Sequence, residues 1–68
     1  MKINKIGKIQ DGEMQGWYIK LIDDTENTGG YLLLQSEQED FKGNGYDDWF
    51  IDLEEARHYI ESKFLIEW

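Results

Sequence analysis

The stretch "WYIKLI" at residues 17–22 alternates, with Trp17, Ile19 and Leu21 on one side and Tyr18, Lys20 and Ile22 on the other. A period of two is the pattern of a half-buried strand. Strands are expected at about 2–10, 14–22 and 31–36, the last reading "YLLLQS". Asp11-Gly12 falls between the first two, and Asp-Gly is a strong signal for a two-residue hairpin turn. In that register Ile9 faces Met14, Gly7 faces Gly16 and Ile6 faces Trp17. "DDTENTGG" at 23–30 is polar and glycine-ended, hence a loop. Pairing Ile22 with Tyr31 across it sets Leu21 beside Leu32 and Ile19 beside Leu34. Ile6, Trp17, Ile19, Leu21, Leu32 and Leu34 then form the expected core face. The opposite face gathers Ile3, Ile9, Met14, Tyr18, Lys20, Ile22, Tyr31, Leu33 and Gln35.

The period changes after Asp52. Leu53, Ala56, Ile60 and Phe64 recur at helical spacing and make one apolar stripe, while Glu54, Glu55, His58, Glu61 and Ser62 fall opposite. Asp52 followed by Glu55 has the form of a capping box, so a helix is expected over about 53–63. "LIEW" at 65–68 returns as an extended tail, with Trp68 as a lid on the core. The expected fold is α+β: an antiparallel meander of three to four strands with one C-terminal helix packed on one sheet face. Residues 1–68 are expected to form a single domain. With only one helix, the face bearing Tyr18 and Tyr31 either stays open as an interface or is capped by Phe41 or Tyr46 from the loop at 37–48.

"GNGYDDWFID" at 43–52 joins the two periods. Asn44-Gly45 suits the positive φ angles of a tight turn. A short strand at 48–51 would follow, with Trp49 and Ile51 pointing one way and Phe50 the other, so that one of Trp49 and Phe50 enters the core. Glu37, Glu39, Asp40, Asp47 and Asp48 gather around this aromatic segment as an acidic rim. Carboxylates beside a ring suit the capture of a Lys- or Arg-rich surface, because charge steers the encounter and the ring anchors it.

Charge strengthens that reading. The 68 residues carry fifteen acids against seven bases, a net charge of −8, and all fifteen acids lie beyond residue 10. Such a field repels nucleic acid and anionic lipid and draws in basic partners; it also keeps a small protein dissolved. Neither an apolar run long enough to span a bilayer nor a secretory leader is visible, so a cytoplasmic protein is expected. There is no Cys, and His58 is the single histidine. Nucleophilic triads and thiolate or His-rich metal sites therefore lack their parts. His58, four residues after Glu54 on the polar side of the helix, is read as a surface residue. A calcium loop starting at Asp24 fails at its twelfth position, which is Gln35 instead of a bidentate Glu. No cofactor and no catalysis are expected.

The pattern "GGYLLLQS…GYDDWFIDLEEARHYIESKFLIEW" resembles the small cytoplasmic immunity proteins of bacterial polymorphic toxin systems, many of them short acidic α+β proteins with an acid–aromatic stretch before a terminal helix. The likeness covers about residues 29–68 and carries over at residue level to Asp47, Asp48 and Trp49. It implies tight stoichiometric inhibition of a basic toxin domain, often a nuclease, with no direct contact to nucleic acid. Two alternatives stand beside it. One is an interaction module or homodimer using the Tyr18/Tyr31 face; the other is a DNA-mimic inhibitor of a nucleic-acid enzyme.

Overall fold

A computed structural model describes residues 2–68. The chain runs β1 (Ile6–Ile9), β2 (Tyr18–Asp24), β3 (Gly30–Ser36), β4 (Gly45–Phe50), α1 (Leu53–Lys63) and β5 (Ile66–Glu67). All pairings are antiparallel, in one five-stranded sheet of order β4-β3-β2-β1-β5. The α+β expectation holds, with β5 as an added strand that returns to pair with β1. No helix among the described residues is long and apolar enough to cross a membrane.

The helix begins where the sequence places it. Asp52 is extended, at φ −143° and ψ 167°, and its Oδ1 accepts from the Glu55 amide at 2.8 Å. That bond satisfies one of the first-turn N–H groups that lack an intrahelical acceptor. Ala56 and Ile60 are buried and Phe64 is half-buried, so the stripe faces the sheet. Leu53 lies off it, 37% exposed. Tyr59 joins the contact instead, its ring centroid 5.2 Å from that of Phe50 and 6.2 Å from that of Phe64. Ala56 and Ile60 close on Ile9, Ile19, Leu21, Leu33 and Phe50, which form the core.

Both predicted hairpin registers are corrected. At the first, Asp11-Gly12 is not a two-residue turn. Residues 10–17 make a wider loop in which the Gly16 amide donates to Ile9 O at 2.8 Å and the Ile9 amide to Trp17 O at 2.9 Å. Gly7 consequently faces Ile19, and Lys8 faces Tyr18. The shift is by an odd number of residues, which exchanges the two faces of β1. Ile9 enters the core and Ile6 leaves it, 36% exposed. Gly7 now sits on the core side beneath Trp68, where even a methyl group would lie 2.8 Å from the Trp68 Cε3 atom. A bulky residue at position 7 would exclude the tryptophan lid.

At the second hairpin, Ile22 pairs with Leu32 rather than Tyr31. The acidic stretch extends β2 to Asp24 and shortens the loop. Asp23 Oδ1 accepts from the Thr25 amide at 3.0 Å and from Thr25 Oγ1 at 2.7 Å, while the Thr28 amide donates to Asp24 O at 2.9 Å. Gly29 closes the turn at φ 80°, a conformation that disfavours other residues. The one-residue slip turns Leu33 and Gln35 inward and Leu32 and Leu34 outward. Tyr31 then packs on the core while Tyr18 stays on the far face. The shared Tyr18/Tyr31 surface expected from the pattern is therefore not formed.

β4 is longer than expected, and Asn44 and Gly45 lack positive φ; the 37–44 loop turns instead at Phe41, at φ 60°. Phe50 is the buried aromatic and Trp49 points to the open face. Phe41 folds back toward that face, with Lys20 Nζ 5.0 Å from its ring centroid. Ile22, Leu32 and Leu34 remain half-buried there with no helix above them.

The register has a direct test. Leu33→Ala, like Ile60→Ala, should cost about 2–5 kcal/mol, and Leu32→Ala less than half as much. Thermal melts in which Leu32→Ala is the more damaging would reinstate the other register. The hydrogen bonds from the Thr25 amide and hydroxyl also hold the Asp23 carboxyl below its ordinary range. Its stabilisation is present above the unfolded-state value and fades as pH falls through the folded one. In an NMR acid titration Asp23 should protonate below the usual aspartate range, with the Thr25 amide signal moving in step.

Candidate protein-binding surface

The loops at 10–17 and 37–44 leave the same end of the sheet, because they join β1 to β2 and β3 to β4. Between them they bear Asp11, Glu13, Glu37, Glu39 and Asp40 against Lys42, all exposed. Asp40 Oδ1 accepts from the Lys42 amide at 3.0 Å. Among the described residues the one ion pair joins Arg57 to Glu54 on the helix, so these loop carboxylates face solvent without a cationic partner.

Two aromatic rings stand at this end. Trp17 precedes β2 on the core side, and Tyr46 lies on the same side of β4 through the row Ile19, Gln35, Tyr46. Their centroids are 5.8 Å apart and their planes differ by 9°, a parallel stack. Tyr46 is 64% exposed. Gln35 shares its row, only 4% exposed, and its Nε2 donates to Asp48 Oδ2 at 3.2 Å. A groove of about 460 Å³ runs from the stack to the helix, where Tyr59 and Lys63 line it. Lys63 Nζ donates to the Tyr59 hydroxyl at 2.8 Å. That bond, with a smaller attraction to Asp48, holds the ammonium above the ordinary lysine range. Glu13 and Met14 also line the groove.

The structure divides the residues expected to form one site. Glu37, Glu39 and Asp40 lie together on the 37–44 loop. Asp47 and Asp48, adjacent in a strand, point to opposite faces: Asp47 is exposed beside Leu34 on the open face, and Asp48 is half-buried beside Leu33 on the helix side. Trp49 is on the open face, 45% exposed, and its Nε1 donates to Thr28 Oγ1 at 2.8 Å. Tyr18 lies on that face too, with Lys8 Nζ 5.8 Å from its ring centroid, and Tyr31 is on the opposite one. Sequence reasoning missed the Trp17–Tyr46 stack. The alternation of β4 puts Tyr46, Asp48 and Phe50 on one side, a signal that a strand starting at residue 48 leaves out because Tyr46 then falls in the loop.

Chemically the surface offers aromatic planes, carboxylates and two lysines, Lys42 and Lys63. His58 is exposed on the far side of the helix, and among the described residues no three His, Asp or Glu side chains converge as metal ligands would. The chain matches no protein-family model, no curated protein and no solved structure.

Two variants separate display from support. Tyr46→Ser should leave stability within about 1 kcal/mol, as for an exposed side chain, while altering the near-ultraviolet dichroism of Trp17. Asp48→Ala leaves the buried Gln35 amide without its acceptor and should cost about 1–3 kcal/mol. A melt that ranks the two the other way would show that the stack, not the Gln35–Asp48 bond, carries this end of the sheet.

Proposed function

We propose that this chain is a non-catalytic acidic binding protein that neutralises a basic protein, as a cytoplasmic immunity protein neutralises its toxin domain, through a tight one-to-one complex. The observation that carries this reading is the pairing of a Tyr46–Trp17 stack, its tyrosine exposed, with loops that bear five carboxylates against one lysine at the same end of the sheet. Charge at a rim acts on the encounter: the net field of −8 and the unpaired loop carboxylates draw in a cationic surface and orient it. A partly desolvated ring acts on lifetime, because its contacts must be broken for the partner to leave. Trp17 is packed against the core on its inner side, so Tyr46 rests on a fixed plane and loses little freedom when covered. The resemblance of residues 29–68 to immunity proteins supports the same partner class.

Co-expression with a basic toxin domain, sought among the genes that neighbour its own, tests the proposal. Growth should be restored, and the two proteins should purify together at equal stoichiometry. In surface-binding kinetics the triple variant Glu37→Gln, Glu39→Gln, Asp40→Asn should slow association severalfold at low salt and flatten its salt dependence. Its melting temperature should not move, and Tyr46→Ala should act on dissociation instead. Growth arrest that persists on co-expression, or an association rate indifferent to the three carboxylates, would sink the reading.

A further inference from the structure

The sheet has two edges. One is β5, only two residues long, and short edge strands are a common protection against unwanted pairing. The other is β4, Gly45–Phe50, six residues long with no proline and no lysine. Its inner side pairs with β3 in the register Leu34↔Asp47 and Leu32↔Trp49. One step beyond that ladder the Glu37 amide donates to Asn44 O at 3.3 Å, which marks 37/44 as a hydrogen-bonded pair. Such pairs alternate along an antiparallel ladder, so Tyr46, Asp48 and Phe50 bond to β3. Gly45, Asp47 and Trp49 turn their N–H and C=O groups outward. No further backbone bond reaches these three from a loop, cap or turn among the described residues.

This edge rejects its own copy. Either two-fold antiparallel pairing that overlaps five of the six residues sets Asp47 against Asp47 or Asp48 against Asp48, and like charges directly opposite are destabilising. The same carboxylates select a complementary strand. Because they are adjacent and point to opposite faces, the residues across from them on an added strand are also adjacent and on opposite faces. We infer that β4 is completed by an extended segment of the basic partner carrying two consecutive Lys or Arg residues, hydrogen-bonded through Gly45, Asp47 and Trp49. Trp49, held by Thr28, and exposed Ile51 offer apolar surface at one end of that strand, and Tyr46 offers it at the other. Strand addition of this kind takes affinity from the backbone and specificity from alternate side chains.

The inference rests on the reading of a basic partner, and peptides separate the two. The probe is a short, end-blocked peptide of alternating threonine and valine around a central Lys-Arg pair. It is compared with a Glu-Glu version and with two N-methylated versions, one for each set of alternate backbone nitrogens. Titrated into the isotopically labelled protein, the dibasic peptide should shift the Gly45, Asp47 and Trp49 amides and slow their hydrogen exchange. One N-methylated form should bind about tenfold more weakly, the loss of one or two net hydrogen bonds, while the other binds unchanged. The Glu-Glu peptide should not bind. Equal binding of both methylated forms, with shifts confined to 37–44, overturns strand addition and leaves a basic partner held by charge alone. Absence of any change at Asp47 and Trp49 with millimolar dibasic peptide overturns it as well.

Discussion

A single helix can cover only one face of a sheet, and most of this molecule follows from which face that is. Ala56 and Ile60 offer a narrow apolar strip, one of them a methyl group, so the strands opposite must bring aliphatic side chains into a short span. Ile9, Ile19, Leu21 and Leu33 do so in neighbouring positions of three strands, and Phe50 extends the patch to the edge. The alternate side chains of the same strands, Tyr18, Lys20, Ile22, Leu32 and Leu34 among them, are sent to the far face. Register is thus the variable that separates support from surface, because a slip of one residue moves a whole strand's side chains across the sheet.

The helix was legible because independent signals agree: a period near 3.6, a capping aspartate and a polar far side all end at the same residues. The sheet's existence was legible for similar reasons, but its faces were not. "YLLLQS" places three leucines in succession, so either phase of β3 buries leucine and the apolar pattern cannot choose. The choice is made by short-range bonds from Asp23, Asp24 and Thr25, which tighten the turn and lengthen β2. At the first hairpin the Asp11-Gly12 signal competed with a wider closure at Gly16, and the buried positions opposite Trp68 and Ile66 favoured Gly7 on the inner side. The acidic character of the candidate surface could be read from composition. The Trp17–Tyr46 stack was legible only in part: alternation puts Tyr46 on the side of Phe50, but its meeting with Trp17 across β3 depends on the wider loop.

β4 illustrates how one strand serves two purposes through alternation. Asp48 and Phe50 face the helix side, where the first anchors a buried glutamine and the second fills the core. Asp47 and Trp49 face the other way, outside the core: Asp47 is exposed, and the Trp49 ring lies over Gly30 with its Nε1 bonded to Thr28. Two identical neighbours in sequence, Asp47 and Asp48, thereby differ in role because the pleat sends them to environments of different wetness.

The closure of the sheet by β5 bears on how the chain reaches its fold. β1 through β4 are joined by hairpins, whose ends meet after short loops and so at small entropic loss. β5 instead brings Ile66 against Ile9 and Trp68 over Gly7, contacts between opposite ends of the chain, reinforced by the Gln10 amide donating to Leu65 O at 2.8 Å. Such distant contacts raise contact order and slow folding. On a ribosome the first strand would leave the tunnel long before its outer neighbour, leaving its free edge unpaired until β5 emerges. The tryptophan lid is the latch of this domain, and it is made only after every strand it closes upon.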